Sequence, residues 1–285
     1  MPHRRFVLLA AGAAAVFGLT ACGSSGSPGG PVSIPIPSPT TSSASTSPAP
    51  VTSPVTSPVT SSIVSTVTSP VTSSPAADGL GCPTDATYCD TFGSSSSGWP
   101  TENETNYFAG YDPYAGGSYR LGERTNATIS EDAPVNVSTS DYSVRVDVDA
   151  VRHQGMPGAD NEGVICWQHP AKSGGGTAAF LFFVNTARVE IGLWDGEDGS
   201  YHTIAQKQMS VLHTDGHTPD HIAAECVQTD AGAGLAIAVN GHLVLSKEYA
   251  NGTTTYEWEP SNKVGLLASG EDSDVFYDNF AISTP

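Results

Sequence analysis

The sequence predicts an all-β fold, an antiparallel β-sandwich preceded by a disordered linker, on three observations. From Tyr142 to Val151, the residues Tyr142, Val144, Val146, Val148 and Ala150 alternate with Ser143, Arg145, Asp147 and Asp149. That two-residue period belongs to a strand with one buried and one wet face. Asn240-Gly241, flanked by Leu235–Val239 and His242–Ser246, signals a type I′ hairpin, in which both central positions take positive φ. No stretch has helical periodicity, whereas about a dozen short runs separated by Gly and Asn turns are spaced as strands.

In chain order, the first element is an export signal. Arg4 and Arg5 precede an apolar stretch from Phe6 to Gly18, which is too short for a membrane-spanning helix. It ends in Leu19-Thr20-Ala21-Cys22-Gly23, which looks like a bacterial lipobox. On that resemblance, residues 1–21 are a lipoprotein signal peptide. The Cys22 thiol accepts diacylglycerol and becomes the mature N-terminus. No later run reaches the ~20 apolar residues of a transmembrane helix. The expected location is therefore the cell membrane, lipid-anchored and facing the extracytoplasmic side.

Residues 22–77 comprise the lipidated Cys and a tether of almost only Ser, Thr, Pro, Val, Ala and Gly in which Val-Thr-Ser recurs at 51, 55, 59, 67 and 71. Such a segment cannot build a core; its prolines favour extended conformations, and its hydroxyls offer O-glycosylation sites. Its reach is roughly 40 Å as a coil and about 170 Å when extended. Residues 78–285 then suffice for one large sandwich. All 29 acidic residues lie after position 77, against 11 basic ones in the whole chain. Without Arg4 and Arg5 the formal net charge is −20. That field repels nucleic acid and anionic headgroups.

Export also sets the cysteine chemistry, because disulfides persist outside the cytoplasm. With Cys22 lipidated, four cysteines remain, with three possible pairings. Cys82 with Cys89 and Cys166 with Cys226 is favoured, since the first pair shares one short segment and the second joins two strand-like runs. Paired C-x-x-C motifs, the mark of a structural zinc site, are absent.

Within the domain, Cys89-Asp90-Thr91-Phe92, Gly98-Trp99, Gly116-Gly117-Ser118-Tyr119-Arg120-Leu121 and Val275-Phe276-Tyr277-Asp278-Asn279-Phe280 resemble a concanavalin A-like, laminin-G-like jelly roll of bacterial extracellular proteins. The resemblance covers nearly all of 88–283 and rests on fold markers rather than chemistry. It departs at Trp167, where relatives often place Arg. That superfamily includes sugar-binding modules, adhesion domains, glucanases and keto-disaccharide hydrolases, so the fold alone selects none of them. The resemblance also implies that Asp278 on the last strand, with Asp90 as a neighbour, holds a structural Ca2+.

For catalysis, the Glu-x-Asp-x-x-Glu strand of retaining glucanases, which places two carboxyls on one face, is missing. So are Gly-x-Ser-x-Gly, His-Glu-x-x-His and a phosphate-cradling Gly loop. Asp147 and Asp149 share a face that reads as solvated. His213, His217 and His221 recur every four residues, but Gly216 and Pro219 break any helix that would align them. For recognition, sugar rings stack on aromatic faces while their hydroxyls bond carboxylates and amides. Trp99, Tyr107, Tyr111 and Tyr114 crowd one segment with Asn106 and Asp112, and Trp167, Trp194 and Trp258 are further candidates. The expected role is a tethered, non-catalytic module for carbohydrate or another envelope ligand. The alternatives are a glycoside hydrolase of the same fold and a protein-interaction or adhesion domain.

Overall fold

The computed structural model describes residues 82–112, 117–125, 127–137, 143–152, 161–170, 177–196, 199–209, 212–213, 215–250, 261, 263–270 and 272–284. Cys22, the tether, Tyr114 and Trp258 lie outside them. The strands are β1 (Tyr88–Asp90), β2 (Glu102–Asn103), β3 (Tyr107–Asp112), β4 (Ser118–Glu123), β5 (Thr128–Asp132), β6 (Ser143–Arg152), β7 (Asn161–Pro170) and β8 (Thr177–Val184). They continue with β9 (Arg188–Asp195), β10 (Ser200–Gln208), β11 (Asp220–Gln228), β12 (Gly232–Val239), β13 (His242–Ala250), β14 (Val264–Ser269) and β15 (Ser273–Ser283). Among the described residues, the one helical element is a 3-10 turn at Ser95–Ser97.

Two antiparallel sheets form the sandwich. The nine-stranded sheet runs β13-β12-β11-β6-β15-β4-β3-β2, with β1 paired to β15, and the six-stranded sheet runs β10-β9-β8-β7-β14-β5. The alternation read from the sequence sets which side chains face inward. Val144, Val146, Val148 and Ala150 of β6 enter the core, while Arg145, Asp147 and Asp149 face out. β8 is a continuous apolar run because it lies inside the six-stranded sheet with both faces covered. Phe180, Phe182 and Val184 join the inter-sheet core, and Ala179, Leu181 and Phe183 form a second cluster on the opposite face. The hairpin at Asn240-Gly241 has positive φ at both positions (50° and 77°), as a type I′ turn requires.

Two features tie the layers together. Cys166 on β7 is bonded to Cys226 on β11, one from each sheet, and Cys82 to Cys89 ahead of and within β1. Tyr277, fully buried on β15, donates its hydroxyl to the Leu267 carbonyl at 2.5 Å and accepts the Gly163 N–H at 3.2 Å. A buried phenol needs such partners.

Candidate functional site

The aromatic residues chosen from the sequence hold up a site rather than line one. Trp99 is 3% exposed, its ring enclosed by Phe92, Tyr119 and Phe280 at centroid distances of 5.4, 5.2 and 4.9 Å. Trp167 is 1% exposed and packs beside Phe180 in the inter-sheet core. Trp194 is buried in the second apolar cluster against Tyr201. A stacking platform expected on these three indoles is therefore not formed, because burying their apolar area in the sandwich takes up both ring faces. Tyr107 and Tyr111 are half-buried. Their hydroxyls have a structural task.

That task is to hold the segment from Ser97 to Glu102. The Tyr111 hydroxyl pairs with Ser97 Oγ at 2.7 Å and accepts the Trp99 N–H at 3.2 Å. Tyr119 donates to the Pro100 carbonyl at 2.7 Å, and Tyr107 donates to Glu102 Oε2 at 2.6 Å. Gly98, with φ at 92°, closes the preceding 3-10 turn in the left-handed region, where glycine carries no Cβ penalty. Three phenols projecting from β3 and β4 thus fix a strap along the β2 edge of the nine-stranded sheet.

Facing the strap is β5, the edge of the six-stranded sheet, and the turn after it. Between these two edges lies a cleft of about 480 Å³, walled by Gly98, Pro100, Thr101 and Glu102 on one side and by residues 130–136 on the other. Gln168 and Lys263 complete it. Lys263 Nζ donates to Asp132 Oδ2 at 2.9 Å. The Gln168 N–H donates to the Lys263 carbonyl at 3.1 Å, and its own carbonyl accepts Ser261 Oγ at 2.5 Å. The walls thus alternate apolar patches (Pro100, Ala133, Pro134, Val135) with carboxylates, amides and hydroxyls. That lining matches a polyhydroxylated ligand, whose C–H faces and hydroxyls alternate in the same way.

A second cleft, about 460 Å³, borders Arg120 and Phe108 on the outer face of the nine-stranded sheet. Its guanidinium lies over the Phe108 and Phe276 rings at 5.3 and 5.5 Å and gives two hydrogen bonds to Asp274 at 2.5 and 2.9 Å. The cation's charge is already matched there.

The architecture can be set beside known structures. A Bacillus subtilis protein of unknown function with a galectin-like fold superposes with a TM-score of 0.50 over 72% of this chain and 96% of its own, at 14% identity. The fold is a galectin-like jelly roll. Lower scores relate this jelly roll to the Emp46p carbohydrate recognition domain in its potassium-bound form (0.46, 10% identity, 69% of this chain and 98% of that one). The carbohydrate-binding module CBM66 from Bacillus subtilis scores 0.41 at 12% identity over 72% and 100%. No protein-family model and no curated protein matches the chain.

The expected calcium ligands do not form a cage. Asp90 Oδ1 accepts the Phe92 N–H at 2.8 Å, and Asp278 Oδ1 accepts the Asn279 N–H at 2.7 Å. Among the described residues, no group of three or more His, Cys, Asp or Glu is arranged to hold a metal ion. A calcium site needs six or more oxygens. Burial raises the Asp278 pKa, the Asn279 N–H opposes the rise, and the charges of Asp149 and Asp90 add to it.

The histidines are likewise spread out. His213 faces Asp220, and the Asp215 carboxylate accepts the backbone N–H groups of His217 and Thr218. His221 bonds Asp149 Oδ1 through Nδ1 at 2.8 Å and lies 3.4 Å from Asp147 through Nε2, while Asp147 also takes two bonds from Arg145. Asp147 and Asp149 are thus committed to an ion network on the outer sheet face. Burial alone would lower the His221 pKa, but the bonds and charges of the two aspartates outweigh it and raise the value to about 9. A raised folded-state value means the stabilisation is complete below the unfolded value of 6.5 and is lost as pH climbs towards 9. The midpoint of thermal unfolding is therefore expected to fall between those pH values, and less steeply in His221→Gln. Identical pH profiles for the two proteins would remove His221 from this account.

Proposed function

We propose that this protein is a membrane-tethered, extracytoplasmic recognition module that binds carbohydrate or a related envelope ligand without transforming it. The observation that carries the reading is the cleft between β2 and β5: its Ser97–Glu102 wall is fixed by three tyrosine hydroxyls, and it is lined alternately by apolar and hydrogen-bonding groups. Rigid, preformed walls lower the ordering cost of binding. The lipobox-like Cys22 and the 55-residue Ser/Thr/Pro tether support placement outside the membrane, on a stalk long enough to clear the surface.

The test is a glycan array probed with the full chain in detergent, disulfides intact, alongside Glu102→Gln. Retention of a carbohydrate by the parent chain and its weakening in the variant is the expected result. A blank array contradicts the reading, and release of shortened products from a retained glycan favours the hydrolase alternative. Attachment is checked separately: palmitate label is expected on the parent chain and lost in Cys22→Ala, and label that persists in the variant contradicts the anchor.

A further inference from the structure

Gln168 owes its position to a fault in β7. Val164 and Cys166 point into the core, so an unbroken strand would turn Trp167 outward and Gln168 inward. Instead, Trp167 sits at φ 53° and joins the core, and the pairing of β7 with β8 shifts between Cys166 and His169. The left-handed region is unfavourable for a bulky residue, so the surrounding structure holds it there. Bulges of this kind re-aim side chains next to sites. The residue that follows the bulge, Gln168, is among those that line the cleft.

Gln168 is only 7% exposed, and its Oε1 atom is buried without a hydrogen-bond partner. Its backbone groups are already matched, by Lys263 and Ser261. A buried acceptor left empty is unfavourable, so a group that enters the cleft with a donor gains more than it would at a water-satisfied site. The charge around it points the same way. Among the described residues that line the cleft, Glu102, Glu131 and Asp132 are acidic and Lys263, which is held by Asp132, is the one basic side chain. The complementary ligand group carries donors, no acceptor and positive charge. An ammonium has three donors and no acceptor. A carboxylate or phosphate in the same place meets like charge.

We propose that the cleft takes the free ammonium of an amino sugar, with Gln168 Oε1 accepting one of its N–H groups. This rests on the carbohydrate reading and narrows it to a chemical class. Gln168 then determines specificity, discriminating the amino sugar from its N-acetylated form and from acidic sugars.

The experiment is calorimetric titration of the full chain with glucosamine tetramer, its N-acetylated counterpart and a galacturonate tetramer. The parent, Gln168→Leu, Gln168→Glu and Glu102→Gln are compared, each first checked by its thermal melt. The glucosamine tetramer is expected to bind about tenfold or more tightly than the acetylated one. That preference should collapse in Gln168→Leu, which leaves the net charge unchanged, and survive in Gln168→Glu, which keeps an acceptor. Glu102→Gln weakens the same preference without touching β7, which keeps the test open if Gln168→Leu unfolds. Equal affinities for the two tetramers, or a preference that persists in Gln168→Leu, overturn the proposal and leave the carbohydrate reading standing. Binding of the galacturonate tetramer as tightly as the glucosamine tetramer overturns it as well. Failure of all three to bind overturns the proposal, and the glycan array then decides the carbohydrate reading by itself.

Discussion

Replacing both Cys166 and Cys226 with alanine is expected to lower the stability of the sandwich by about 4 kcal/mol, the loop-closure contribution of a cross-link that spans 60 residues. The corresponding figure for Cys82 and Cys89, 7 residues apart, is about 2.5 kcal/mol. Cys166 lies on β7 of the six-stranded sheet and Cys226 on β11 of the nine-stranded sheet, and both are fully buried. Without the bond, the unfolded chain regains the freedom to separate the two layers. For a domain of this size the melting temperature should fall by about 10 °C. Equal shifts for the two double variants would contradict the chain-entropy explanation.

The second large effect concerns a charge cluster between the layers. Arg152, at the end of β6, lies 3.1 Å from Glu162 Oε2 through Nε and 3.1 Å from Asp220 Oδ2 through Nη2. Glu162 is fully buried, and Asp220 nearly so. One guanidinium therefore serves two carboxylates. Asp220 has additional donors in the His213 N–H and Asn240 Nδ2, whereas Glu162 Oε1 has none. Burial pushes the Glu162 pKa up, Arg152 opposes the rise and Asp220 adds to it, and the balance leaves it at about 8. Removing the cation in Arg152→Met leaves the buried Asp220 carboxylate without its ion-pair partner and is expected to destabilise by about 3–5 kcal/mol. Glu162→Gln keeps the shape and is expected to cost less than about 1 kcal/mol near neutral pH. The sign of its pH effect follows from linkage. The parent is favoured most below the unfolded value of 4.5 and loses that stabilisation as pH rises towards 8, so Glu162→Gln should flatten the decline. Denaturant titrations at pH 5, 7 and 9 check both variants. A Glu162→Gln variant as damaged as Arg152→Met at pH 7 would contradict a protonated Glu162.

These two clusters show what a sequence can and cannot reveal about such a fold. β6 and the Asn240-Gly241 turn were legible because local period and turn chemistry decide them. The pairing of Cys166 with Cys226 followed from their placement in separate strands. β2 and β5 leave no strand signal in the sequence, for a physical reason. Each is a short edge strand, and β5 sends only Ile129 into the core cluster, so neither leaves an apolar alternation to read. The cleft lies between these two edges. Its walls come from residues near 100, 130, 168 and 263, and no local pattern brings those together. Of the aromatics singled out from Trp99 to Tyr114, the Trp99 ring went to the core, and the hydroxyls of Tyr107 and Tyr111 hold the strap beside the cleft. Gln168 carried no signal at all, because its direction depends on the left-handed Trp167 beside it.

The most direct test of the central claim is hydrogen–deuterium exchange of the full chain with and without glucosamine tetramer. Slowed exchange is expected at residues 98–102 and 130–136 and around Gln168, with the outer face of the six-stranded sheet around Trp194 unchanged. Slowed exchange around Trp194 with the cleft unaffected, or no change anywhere, would contradict it.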